Sequence, residues 1–416
     1  MRPYLLALVT ALVLSPGLLS SRPAGTDSRL TALLADRFSA DEAKRHAAAK
    51  RLERTHPDAV SRALAWTAYK AAPKHLPLRT EWEKKSVTAP GRVSPYLWRY
   101  VGAKPADGWA LVIAMHGGGG APKPVNDREW AYMFSTYYRD HLETGGYVYL
   151  ALRAPNDDWN GFYDDAICPL VENLIKQFIL FNEVNPDRVY TLGASHGGYG
   201  AFVIGTKIPF RFAAVHAAAG APTDGETRGE NLRNVRFSFM VGELDTAYGR
   251  ADRDTAFAKS LEGWRKQYGG FPSSFDLMKG VGHLVPDHDK LAEMLKYRRD
   301  PQPSTVVWTQ TDTVLKRFYW LEAPAPVEGG HVEARVDGNT ITITAEKQFK
   351  LALWLDQGLV DLAKPIIVEI VGSKRSTRIV KVRPSLETFC GGLEQTADPQ
   401  LSAPVRLTVS TSPETE

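Results

Sequence analysis

Cysteine is nearly absent from this chain: two residues, Cys168 and Cys390, among 416. That excludes a disulfide scaffold and any all-thiolate metal site built within one chain. Charge of one sign is also missing. Lys+Arg of 51 against Asp+Glu of 47 leaves a formal +4, too small and too dispersed to argue for a nucleic-acid partner. Long apolar runs are confined to the N-terminus, and no later segment approaches the roughly 20 residues that a membrane span needs. Hydrophobic residues at 44% and charged residues at 24% rule out a collagenous, mucin-like or wholly disordered chain. What is left is a globular protein large enough to bury a sizeable core, with two domains or one domain and additions.

The N-terminus carries Arg2, an apolar stretch from Tyr4 to Leu14, a Pro16-Gly17 break and then small residues. This pattern predicts an export signal over residues 1–25, cleaved between Ser21 and Thr26, and a secreted or periplasmic product without a membrane span. Cys168 and Cys390 are then expected as two buried thiols rather than as a pair.

Residues 26–82 read as helical, with capping-box spacing at Ser39-Ala40-Asp41-Glu42 and Pro57 placed for a first helical turn. Over residues 83–300 short apolar strands alternate with amphipathic helices. Strands are expected at Val87–Ala89, Tyr96–Val101, Trp109–Met115, Tyr147–Leu152, Arg188–Leu192, Phe212–Val215, Val235–Val241 and Ser274–Met278. Ile167, Val171, Leu174, Phe178 and Phe181 fall on one helical face. Such alternation predicts an α/β fold with a mainly parallel sheet covered by helices, and places ligands at the carboxyl ends of its strands. After Pro301-Gln302-Pro303 the pattern becomes strand after short strand. It runs from Thr305–Thr309, Arg317–Glu322 and His331–Val336 through to Val405–Ser410, which predicts an antiparallel β-sandwich over 304–416. Its aromatics, Trp308, Tyr319, Trp320 and Trp354, read as core.

The chemistry concentrates in loops that follow strands. Gly193-Ala194-Ser195-His196-Gly197-Gly198 stands between a strand and a helix-compatible run, the setting in which a serine is held on a strained turn as a nucleophile. His116-Gly117-Gly118-Gly119-Gly120 follows another apolar strand and offers backbone N–H groups to a developing oxyanion. Gly117 or Gly118 and the amide of His196 are the expected donors. Asp245 and His283 each sit in a loop just past a strand, downstream of the serine, in the order acid then base. Asp245 is preferred to Glu243, which lies nearer the strand. His288 reads as solvated at a helix start, and His116, His196 and His216 as pocket-lining groups. Trp159, Asn160, Phe162 and Tyr163, with His116, are candidate substrate contacts. No ligand spacing for a metal and no cofactor motif is present.

Taken together, HGGGG, GASHGG, GELD and GVGH in that order resemble the α/β-hydrolase superfamily over about half of the chain, from Lys84 to Asp300. The chain looks most like its exported esterase and polyhydroxyalkanoate-depolymerase-like group, which includes feruloyl esterases. That resemblance implies hydrolysis of a small or polymeric carboxylic ester through an acyl-enzyme. The serine turn is also similar to that of prolyl oligopeptidases, so a peptidase is an alternative, as is an inactive protein that binds a surface polymer.

Overall fold

The computed structural model describes residues 24–311, 315–347, 350–372 and 375–411. Residues 1–23 of the expected export signal lie outside them. Four helices lead the chain: α1 (Ala24–Arg37), α2 (Glu42–Leu52), α3 (Ala59–Lys70) and α4 (Leu76–Glu83). The expected cap of α2 is realised through Asp41 alone, whose carboxylate accepts from the Lys44 amide at 3.1 Å. The reciprocal capping box belongs to α3 instead, where Asp58 and Ser61 bond one another's backbone amides at 2.8 Å. Pro57 thus precedes the cap rather than opening the helix.

The central sheet holds β1 (Ser86–Ala89), β2 (Arg92–Val101), β3 (Trp109–Met115), β4 (Tyr147–Leu152), β5 (Val184–Ala194), β6 (Ala214–Ala218), β7 (Arg236–Gly242) and β8 (Ser273–Met278). Their spatial order is β1-β2-β4-β3-β5-β6-β7-β8. From β4 to β8 every pairing is parallel, and β1 and β2 run antiparallel at one edge. The crossovers carry α5 (Lys123–Tyr132), α6 (Ile167–Phe181), α7 (His196–Lys207) and α8 (Arg250–Tyr268), and α9 (Lys290–Met294) follows β8. Every residue of β3 and β4 is buried, as a sheet covered on both faces requires. The expected strand at Phe212–Val215 starts later, at Ala214, because a 3₁₀ turn over Pro209–Arg211 leads into Phe212.

The chain leaves β3 toward β4 on one side and leaves β5 toward β6 on the other. Neighbouring strands whose connections diverge open a crevice at their carboxyl ends, the usual ligand position in such sheets. Here the crevice lies between Met115, at the end of β3, and Ala194, at the end of β5. The glycine turn and Ser195 follow directly.

The remaining strands are β9 (Thr305–Thr309), β10 (Arg317–Phe318), β11 (Leu321–Glu322), β12 (His331–Asp337), β13 (Thr340–Ala345), β14 (Lys350–Leu355), β15 (Ile366–Val371), β16 (Arg375–Val380) and β17 (Val405–Ser410). They form two sheets, β10-β11-β14-β17 and β16-β15-β13-β12-β9. Three expectations change. The single strand foreseen over Arg317–Glu322 is two, turned by Tyr319 at φ 53°. The sandwich is not wholly antiparallel: β13 pairs with β15 in parallel, because the chain crosses to the other sheet through β14 in between. A helix, α10 (Leu386–Thr396), interrupts the strands, capped by Ser385, whose hydroxyl accepts from the Thr388 amide at 3.2 Å. Its apolar face meets α1 to α3 in a cluster of Leu34, Phe38, Leu52, Tyr69, Phe389 and Leu393. Arg37 adds ion pairs to Glu387 at 2.7 Å and Glu394 at 3.0 Å.

Trp308, Tyr319, Trp320 and Trp354 are all buried. Phe210, from the central domain, meets the Phe318 and Tyr319 rings at 6.1 and 6.0 Å, so one apolar core runs from the large sheet into the sandwich. Cys168 on α6 and Cys390 on α10 are buried thiols. Among the described residues no helix is long and apolar enough to cross a membrane.

Candidate active site

Ser195 joins β5 to α7 at φ 55° and ψ −116°, a conformation that L-residues rarely adopt. The sharpness of the turn explains its glycines. A Cβ on Gly193 would overlap the Gly197 carbonyl, and one on Gly197 would overlap that of Met115 at the end of β3. Two hydrogen bonds fix the turn: the Ser195 amide to Ala218 O at 2.9 Å and the Gly197 amide to His116 O at 3.0 Å.

β7 and β8 deliver two further groups to the same edge. His283 Nε2 lies 2.9 Å from Ser195 Oγ, and its Nδ1 lies 2.7 Å from Asp245 Oδ2. The second carboxylate oxygen of Asp245 accepts from Arg250 Nη1 at 2.8 Å, and Arg250 Nε donates to Tyr199 Oη at 3.1 Å. Asp245 is buried, while the imidazole is 39% exposed and therefore open to a ligand. Glu243 is committed elsewhere, accepting from the Gly280 amide at 3.0 Å. A serine on a strained turn at the switch point of this sheet order decides the architecture. The fold is that of the α/β-hydrolases.

Gly117 lies against the serine: a Cβ placed on it would stand 3.6 Å from Ser195 Cβ. Gly118, Gly119 and Gly120 follow at φ 109°, 79° and 61°, so only glycine suits the turn. Asn126, buried on α5, holds it, accepting from the Gly119 amide at 3.1 Å and donating to Ala121 O at 2.9 Å. His196 supplies the first amide of α7, one of the N–H groups that a helix start leaves without an intrahelical acceptor.

Several residues expected at the site take other positions. His116 is fully buried; Nδ1 donates to Gly117 O at 2.6 Å and Nε2 accepts from the Ala154 amide at 3.0 Å. Burial above all pushes its pKa down to about 3, so it is a neutral strut beneath the glycine turn rather than a substrate contact. His196 is also buried, donates from Nε2 to Trp159 O at 3.0 Å, and is pushed by burial down to about 4. Its ring is 5.0 Å from that of Phe162 and 6.1 Å from that of Trp159, which fastens the 155–163 loop onto the elbow. His216 is fully buried, bonded through Nδ1 to Ser238 Oγ at 2.8 Å.

Phe162 is fully buried core under those imidazoles. Asn160 and Tyr163 belong to the same loop: the Asn160 carbonyl accepts from the Tyr163 amide at 2.9 Å, and burial raises the Tyr163 pKa to about 12. Trp159 is 38% exposed and meets Tyr248 at 5.1 Å, an outer shelf rather than the wall of the cavity.

The wall comes from elsewhere. A cavity of about 460 Å³ opens beside Ser195, Gly117, Gly118 and His283, lined on its far side by α5 and the π-turn Met133–Tyr137 that continues it. Val125, Glu129, Tyr132, Met133 and Tyr137 contribute from there, and Leu284, Val285 and His288 from the loop that carries His283. His288, expected as solvated, is half-buried, and its Nδ1 bonds Tyr137 O at 2.7 Å. Beneath it Asp287 accepts from the Tyr137 and Tyr138 hydroxyls at 2.8 Å each, and its Oδ2 lies 3.7 Å from His216 Nε2. Burial alone would raise the Asp287 pKa, but His216 and the two hydroxyls outweigh it and hold the carboxylate low. Asn126, Glu129, Tyr132, Tyr137, Arg250 and Asp287 have no motif of their own and were not foreseen.

No family model and no curated protein matches this chain. Solved structures of similar fold include a thermostable esterase, 16% identical over 51% of this chain and 62% of its own length, with a TM-score of 0.41. An acetyl xylan esterase from Aspergillus awamori is 16% identical over 49% of this chain and 94% of its own, at 0.36. An S-formylglutathione hydrolase from Agrobacterium tumefaciens is 17% identical over 51% and 98%, at 0.37.

Proposed function

We propose that this protein is an exported serine hydrolase that cleaves carboxylic esters through an acyl-enzyme. The observation that carries the reading is the continuous chain Ser195 Oγ, His283, Asp245, with steps of 2.9 and 2.7 Å, on a serine held at φ 55°. His283 takes the Ser195 proton at Nε2 as Oγ attacks the carbonyl, and returns it to the leaving alcohol. Asp245 accepts from Nδ1–H, fixing the tautomer and stabilising the imidazolium, while Arg250 holds the carboxylate from its other side. Amides at Gly117 or Gly118 and at His196 receive the oxyanion. Water then releases the acid by the reverse sequence.

The cavity of about 460 Å³ beside Ser195 has room for one modest acyl or alcohol group. The test is a fluorophosphonate probe on the full chain. Labelling of the wild type that disappears in Ser195→Ala supports the reading. Label that persists in the variant, or a labelled enzyme that turns over matched amides as fast as esters, contradicts it.

A further inference from the structure

The cavity beside Ser195 is apolar and aromatic with one charged exception: Glu129 is the only carboxylate among its lining residues, and neither lysine nor arginine is among them. Among the described residues Glu129 has no ion-pair or hydrogen-bond partner for its side chain. The basic groups nearby are committed elsewhere. Lys123 pairs with Asp127, and Arg153 bonds Asp127 at 3.0 Å and also Asp157. Arg128 is next to Glu129 on α5, and adjacent helical residues do not face one another. Among the described residues no cation pairs with this half-buried carboxylate.

The aromatic wall has the same sign. The Tyr132 and Tyr137 rings meet edge to face at 5.8 Å and 80°, Tyr137 half-buried and Tyr132 43% exposed, with the polarisable Met133 between them in sequence. Ring faces attract cations, and an alkylammonium gains most where desolvated rings stand beside an anion. The Tyr137 hydroxyl is pinned to Asp287 at 2.8 Å, so this ring does not need to rearrange to receive a ligand.

Position relative to the chemistry matters as much. A Cβ on Gly117 would lie 3.6 Å from Ser195 Cβ and 3.7 Å from Glu129 Oε2, so the carboxylate stands one residue's width from the nucleophile. A bare anion there opposes the negative charge that develops on the carbonyl oxygen. A cation seated between the two removes that opposition and helps the transition state more than the ground state.

We infer that the cavity selects esters whose acyl or alcohol part carries an ammonium group close to the ester, with Glu129 as its counter-ion and Tyr132 and Tyr137 as its cation–π walls. The inference rests on the ester-hydrolase reading of Ser195. Two matched pairs test it on the full chain: a choline ester against the 3,3-dimethylbutyl ester of the same acid, and a 4-aminobutyrate ester against its pentanoate counterpart. For at least one pair, kcat/KM for the cationic member should exceed that of the neutral one by about tenfold or more, and Glu129→Gln should bring the ratio close to one.

A second measurement does not depend on turnover. Tetramethylammonium should bind Ser195→Ala saturably by calorimetry, and this binding should vanish in the Ser195→Ala, Glu129→Gln double variant. Ratios near one for both pairs in the wild type, or a ratio that Glu129→Gln leaves unchanged, overturn the inference. Fluorophosphonate labelling of the wild type separates the two readings. A labelled enzyme without charge preference loses only the ammonium site. An unlabelled protein that still binds tetramethylammonium through Glu129 keeps the site and loses the hydrolase.

Discussion

Asp254 lies on α8 one turn beyond Arg250 and is fully buried, with no hydrogen-bond partner for either carboxyl oxygen among the described residues. Burial first, and then the charge of Asp245, raise its pKa well above the usual carboxylate value, against weaker pulls from Arg253 and Arg250. The folded protein therefore keeps this proton over a pH range in which the unfolded chain has already lost it. Because the folded state binds more protons there, stability falls as pH rises from about 4, and the fall stops where the folded carboxyl itself ionises. Each pH unit inside that window lowers stability by about 1.4 kcal/mol. Asp254→Asn keeps the shape and removes the titration, so the variant should gain on the wild type by about that amount per unit. The assay is urea unfolding of both proteins at about pH 4.5, 5.5 and 6.5, with unchanged m-values as the check on a common mechanism. A free-energy difference that is constant across the three conditions would refute the reasoning, and one that shrinks with rising pH would reverse its sign.

Arg250→Met removes the guanidinium from a buried pair in which Arg250 Nη1 and Asp245 Oδ1 are 2.8 Å apart. Unfolding free energy should fall by about 3–5 kcal/mol, and fluorophosphonate labelling of the folded fraction should slow by about a hundredfold as Asp245 loses its fixed position. Wild-type labelling rates in this variant would count against a positioning role for Arg250. Two glycines make a control of opposite outcome. Gly197→Ala should fail to give a native thermal transition, since its Cβ would overlap the Met115 carbonyl. Gly263→Ala, exposed inside α8 with nothing within 4 Å of the added Cβ, should stabilise by about 0.5–1 kcal/mol. Equal melting temperatures for the two variants would refute the packing argument.

The residues that were legible share one property: local geometry constrains them. Gly193 and Gly197 are demanded by a turn that no other residue fits; β3, β5 and β7 announce themselves as apolar runs, and β8 more weakly through Phe275, Leu277 and Met278, and they lead into the loops carrying Gly117, Ser195, Asp245 and His283. A parallel sheet then brings those loops to one edge without any further information. His116 and Phe162 were misplaced for the opposite reason. Their position next to the glycine turn and the 155–163 loop was visible, but not that both would be buried beneath it. α10 went unread because its Ser385 cap lies among strands, and the partners that bury its apolar face, Leu34, Phe38 and Tyr69, are at the other end of the chain.

The cavity wall was illegible for a deeper reason, and the same reason gives it significance. Which face of α5 lines the site depends on how the segment docks, and that is set by contacts far away in sequence. Tyr137 and Tyr138 hydroxyls both end on Asp287, His288 Nδ1 bonds Tyr137 O at 2.7 Å, and the Arg139 amide bonds His288 O at 3.0 Å. The loop so gripped is the one that carries His283. The element that shapes the cavity therefore also holds the loop of His283, in part through hydrogen bonds to the charged Asp287, which are among the stronger ones. A substitution that moves Tyr137 to widen the cavity must also disturb the His283 loop. Selectivity and rate should then change together when Tyr137 is altered, whereas Glu129, free of that network, should change selectivity with far less effect on the geometry of Ser195 and His283.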